Sequence, residues 1–128
     1  MEAYQPGVCN IGSTQRRARR QAGIGSFGVA AAIVLAVALS VLPTGALWAT
    51  APFLFGGWLG VLQDYFRFCV AFGALARYDL SGSGGAAGSV AEREAVAADR
   101  KRAATILGIA AVFSAVSTAL VVALGSLL

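Results

Sequence analysis

Residues 23–62 read GIGSFGVAAAIVLAVALSVLPTGALWATAPFLFGGWLGVL. The stretch carries no Asp, Glu, Lys or Arg, and only Pro43-Thr44-Gly45 interrupts it. Backbone polar groups in lipid must bond within their own segment, so an apolar run of this kind is read as helix despite its valines and isoleucines. Ile24–Leu42 would extend roughly 28 Å at 1.5 Å per residue, close to the hydrocarbon thickness. After the turn at 43–45 a second span starts at Leu47, with Trp48 as an interfacial anchor. It reaches Leu62 and continues to about Asp64. A second apolar block, Ala103 to Leu128, supplies a third span over about 103–124. The expected fold class is therefore all-α and integral to a membrane: a transmembrane hairpin plus one C-terminal helix.

Composition agrees. The 128 residues are 58% hydrophobic and 12% charged, against roughly 25% charged in soluble domains. A small water-soluble domain has too much surface to hide such an apolar excess. The net charge is +4, and four of the ten basic residues are Arg16, Arg17, Arg19 and Arg20. Because these directly precede an apolar span, anionic lipid headgroups are the expected partner and nucleic acid is not. The chain has no His, the commonest metal ligand and proton shuttle. Its two Cys are too few for a disulfide scaffold. No catalytic constellation, metal site or cofactor is expected.

Basic residues also set the orientation. Positive-inside counting puts the arginine cluster in the cytoplasm and leaves the uncharged turn outside. The 65–102 segment then returns inside, with Arg67, Arg77, Arg93, Arg100, Lys101 and Arg102. The expected topology is N-in/C-out in a multi-pass cytoplasmic (inner) membrane protein. A signal-peptide reading of the head, cut after Ala51, is disfavoured because the apolar run is long and Pro52 would follow the cut.

Four units result. Residues 1–22 are a basic cytoplasmic segment with a turn at Pro6-Gly7 and a helix start near Gln15, capped by Ser13 or Thr14. Residues 23–80 hold the hairpin, with spans about 24–42 and 47–64 and a cytoplasmic or interfacial extension. Residues 81–89, SGSGGAAGS, have the composition of a flexible linker. Residues 90–128 form a helix whose start has capping-box spacing at Ser89–Glu92. Glu92, Glu94, Asp99, Arg100, Lys101 and Arg102 make its first half a solvated one.

Small residues four apart fall on one helical face and let helices approach closely in lipid. Gly28, Ala32, Ala36 and Ser40 form such a stripe in the first span, Gly56 and Gly60 in the second, and Ala111, Ala115, Ala119 and Ala123 in the third. Asp64 and Arg67, three apart at the membrane edge, are expected to make an interfacial ion pair. Ser114, Ser117 and Thr118 are the one hydroxyl cluster of the third span.

Cys9 precedes the first span and Cys69 follows the second, so antiparallel helices bring both to one side. A thiol pair for persulfide, disulfide or soft-metal chemistry is one reading, helped by the neighbouring arginines. Two membrane-edge thiols, or one acylated cysteine, are the other.

Asn10-Ile11-Gly12, Arg16, Arg19 and Gly23, within NIGSTQRRARRQAG (10–23), resemble the opening of a family of small bacterial inner-membrane proteins, the YgaP-like transmembrane domain. That family begins Asn-Val/Ile-Gly, two residues, Asp-Arg, two residues, Arg, three residues, Gly, and then enters a two-helix hairpin. It also forms the membrane part of some membrane-bound rhodaneses, and its members often carry a Cys after the second helix, where Phe68-Cys69 falls. The resemblance spans about residues 9–75 and implies a membrane hairpin. This chain has Gln15 where the family has an acid, Val70 where a Pro is usual, and a third span without counterpart. The functional expectation is a non-enzymatic scaffold or accessory subunit, in a homo-oligomer or larger membrane complex. The alternative is a membrane thiol protein acting through Cys9 and Cys69.

Overall fold

Ser13–Ala38 is one unbroken helix, α1, in the computed structural model, which describes residues 3–127. Residues 1, 2 and 128, at the ends of the expected first and last units, lie outside the described residues. The basic segment and the first span are thus a single rod. It begins two residues before Gln15, with Gly12 rather than Ser13 or Thr14 at its N-cap. Its end is a Schellman motif. Ser40 takes the left-handed conformation (φ 61°), its N–H reaches Val37 O at 3.0 Å, and the Val41 N–H reaches Ala36 O at 2.8 Å.

A 3-10 segment, Thr44–Ala49, carries the exposed Trp48 and leads into α2, Thr50–Phe66. α2 does not extend along the interface. It closes in a second Schellman motif, with Arg67 left-handed at φ 56° and the Phe68 N–H on Gln63 O at 3.1 Å. A short helix α3, Val70–Ala74, follows, then strand β1, Arg77–Asp79.

The expected flexible linker is ordered. After a 3-10 turn at Ser81–Ser83, Ala87–Ser89 forms strand β2, antiparallel to β1 with Arg77 opposite Ser89 and Asp79 opposite Ala87. Helix α4 runs from Arg93 to Gly125. Its N-cap is Glu92 without a side-chain cap, so the capping box at Ser89 is not used.

α1, the segment Thr44–Phe66 and α4 are each long and apolar enough to cross a membrane. They stand in a row. α2 packs against both neighbours, whereas α1 and α4 scarcely meet. Trp58 joins the row at its centre, edge-on to Phe27 of α1 (ring centroids 5.4 Å) and to Phe113 of α4 (5.0 Å). Its indole N–H donates to Ser117 Oγ at 2.9 Å. Ser114 and Ser117 in turn donate to carbonyls of their own helix.

The packing faces differ from the expected stripes. α1 buries Gly23, Ala30 and Val37, seven apart, while Gly28 and Ala32 are exposed and a Cβ on Gly28 would meet nothing within 4 Å. α4 buries Ala103, Ile106, Ala110, Ser114 and Thr118 rather than the stripe from Ala111. Gly56 and Gly60 do lie in the α1–α2 seam. A Cβ on Gly60 would fall 2.5 Å from Arg19 O and 2.7 Å from Gly23 Cα, and one on Gly56 2.8 Å from Ser26 Oγ. The face opposite these glycines decides the seam, and it starts at Gly23.

Candidate functional site

The polar residues gather at one end of the row, where residues 4–12 form an arm. Pro6-Gly7 makes its turn, with Gly7 at φ 70° and the Val8 N–H on Gln5 O at 3.0 Å. The arm lies over the start of α4. Asp99 is fully buried there and accepts from Tyr4 Oη at 2.5 Å and from the Gly7 N–H at 2.7 Å. Burial first, and the bond to Asp99 second, push the Tyr4 phenol above its ordinary range, so it stays a donor at neutral pH. Its ring stacks on Tyr78 of β1 at 4.8 Å. Asp99 is therefore not part of a solvated half-helix. The spacing Ala95, Asp99, Ala103, Ile106, Ala110 already sets it on the buried face of α4.

Beyond the turn, the arm clasps the link between α2 and α3. Asn10, fully buried, grips the Cys69 peptide from both sides: its Nδ2 donates to Cys69 O at 3.1 Å, and its Oδ1 accepts from the Cys69 N–H at 2.7 Å. The Asn10 backbone N–H reaches Arg67 O at 3.2 Å. Asp79 of β1 then closes the other edge, its N–H on Asn10 O at 2.8 Å and its carbonyl accepting from Gly12 N–H at 3.0 Å. Gln63 holds Val70 N–H through Oε1 at 2.9 Å.

The residues that carried the family resemblance all take part. Asn10 clamps Cys69 and Gly12 bonds Asp79. Gln15 Nε2, at the position where an acid was expected, donates to Asp79 Oδ2 at 3.2 Å. Arg16 Nε donates to both Asp64 O and Asp64 Oδ1 at 3.1 Å. Arg19 Nη2 donates to Cys69 Sγ at 3.3 Å, with its guanidinium 5.7 Å from the Phe72 ring centroid. Gly23 faces the backbone of Gly57 and Val61. The motif locks the first helix to the second half of the hairpin.

One expectation is corrected here. Asp64 does not pair with Arg67. Its carboxylate meets Arg16 at 3.1 Å and Arg20 at 3.6 Å, because the last turn of α2 lies across from α1 while left-handed Arg67 turns away. Within the basic cluster, Arg16, Arg19 and Arg20 have protein partners. Among the described residues only Arg17 of the four stays exposed with no such contact.

Cys9 and Cys69 lie in this cap, 6% and 1% exposed, and are not joined in a disulfide. Cys9 Sγ donates to Ile11 O at 3.6 Å. The chain brings the two residues to one end through the Asn10–Cys69 clamp, and it buries them. Asp79 is a further acid of the cap. The Ser81 hydroxyl at 2.6 Å and then the Ser81 N–H at 3.0 Å hold its carboxyl below the usual range. Among the described residues no group of three or more Cys, Asp or Glu side chains is disposed to hold a metal ion.

Comparison with protein-family models, with curated proteins and with solved structures gives no match.

Proposed function

We propose that this chain is a three-span protein of a bacterial inner membrane, N-in and C-out, that works without catalysis as a scaffold or accessory subunit. One observation carries the reading. Asn10, Asp64, Asp79 and Asp99 at one end are used on the chain itself, building a locked cap, while the outer faces of α1 and α4 remain apolar and unmatched, with Leu35 and Leu39 on one and Val112, Val116 and Leu120 on the other. Faces of this kind suit lipid or a neighbouring helix. The cap holds the helices in register and gives the assembly a cytoplasmic surface. The resemblance of residues 9–75 to the inner-membrane hairpin family supports the same reading.

Light scattering of the full chain in a mild detergent tests it. A particle heavier than one 13.0 kDa chain, unchanged by Cys9→Ser and Cys69→Ser, is expected. A monomer that brings no other chain through purification contradicts it.

The thiol reading is favoured by one contact, Arg19 on the Cys69 sulfur. Its chemistry would require the arm to lift, since both thiols are covered. Loss of the cellular phenotype on replacing either cysteine by serine, with assembly intact, would establish it over the scaffold.

A further inference from the structure

A cavity of about 710 Å³ opens between the arm, the end of α2 and the first turns of α4. Gln5, Cys9, Tyr65, Phe66, Arg67 and Arg102 contribute to its wall, and no described lining residue is acidic. We propose that this cavity binds the phosphate head of an anionic lipid.

Three observations lead there. First, its two cations have no counter-charge among the described residues. Asp64, three residues before Arg67, is taken by Arg16 and Arg20. Asp99, one turn before Arg102, is taken by Tyr4 and Gly7. Among the described residues no carboxylate comes within ion-pair distance of either arginine.

Second, Arg102 Nε is buried and has no acceptor. That donor is already desolvated, so the charge of Arg102, which lines the cavity, gains from an acceptor on its remaining N–H groups. The guanidinium is held 4.6 Å from the Phe66 ring centroid, which fixes its plane.

Third, Arg67 occupies a left-handed position, φ 56°. Glycine takes that conformation without the Cβ penalty. An arginine there keeps a charged side chain at the cavity despite the strain.

The ligand class follows from these features and from depth. Arginine forks match phosphate oxygens two at a time. The volume lies within the range of small-molecule sites and far exceeds what one oxyanion fills, and Tyr65 and Phe66 supply apolar wall for the part of the ligand behind the head. Arg102 stands immediately before the apolar run that starts at Ala103, and Phe66 is the last residue of α2. The cavity therefore lies where the apolar spans end, at headgroup level. The site rests on the membrane placement proposed above, and not on the scaffold role or on the exposed Arg17.

The test is native mass spectrometry of the full chain in a neutral detergent, with phosphatidic acid, phosphatidylcholine and inorganic phosphate as probes. Phosphatidic acid is expected to give a one-to-one adduct that phosphatidylcholine does not. R67G and R102Q should each weaken it roughly tenfold, as loss of a charge-assisted bond does, and R17Q should leave it unchanged. R67G suits the backbone at that position, so it keeps the test decisive should R102Q fail to fold. If inorganic phosphate alone binds equally well with the same arginine dependence, the phosphate site stands and the lipid source is overturned. Phosphatidic acid binding that survives R67G/R102Q, or is lost equally in R17Q, overturns the site. So does the absence of any adduct.

Discussion

Removing the amide of Asn10 would leave the Cys69 N–H buried without a partner, while Cys69 O would keep the Gly73 N–H at 2.9 Å. Such a loss costs about 1–3 kcal/mol. Asn10→Ala should therefore destabilise the chain by roughly 1–3 kcal/mol, read from SDS titration in mixed micelles. Asn10→Asp, which keeps the acceptor and loses the donor, should fall between. The sequence marks Asn10 as a turn residue and Cys69 as a thiol. It cannot say that one holds the other's backbone, because the bond joins residues 59 apart. Asp79 is the residue whose effect depends on acidity. Its carboxyl lies below the usual range in the folded chain, chiefly through the Ser81 hydroxyl. Its contribution is therefore present above the unfolded value, about 3.9, and lost as pH falls through the depressed folded one. Ser81→Ala should shrink the acid-side loss of stability, seen in melts from neutral pH down to well below the unfolded value of about 3.9.

Among elements, the seam between α1 and α2 is the sharpest case. Gly60→Ala would drive a Cβ into the backbone of Arg19 and Gly23, neither of which is the yielding end of a side chain. A loss of about 1–3 kcal/mol is expected, as for overpacking. Gly28→Ala meets open space. It should be neutral, or stabilising by up to about 1 kcal/mol in a helix interior. Equal effects of the two substitutions in the same SDS titration would contradict the seam. The Gly56/Gly60 half of it was legible, because consecutive glycines in an apolar helix are costly unless something approaches them. The α1 half was not. The first span is so rich in alanine that small residues recur on every face, and only the facing helix selects Gly23, Ala30 and Val37. The strands escaped for a similar reason. SGSGGAAGS has the composition of a linker, and its order comes from Leu80, Val90 and the Asp79 pairing with the distant arm.

For the molecule as a whole, three apolar helices were plain in the sequence, because lipid leaves the backbone so few choices. The cap was hidden, because its bonds tie residues 4–12 to 67–79 and to 99, contacts with no local signature. Together they give the central claim: a row of three helices apolar enough to cross a membrane with one polar end, where arm, β-hairpin and the start of α4 share a side. Single-cysteine labelling in sealed vesicles tests that directly, with an impermeant maleimide and both native cysteines replaced by serine. Arg17→Cys and Gly85→Cys should label from one face, and Gly45→Cys and Ser126→Cys only from the other. Labelling of positions 17 and 85 from opposite faces, or of 126 from the same face as 17, would contradict it.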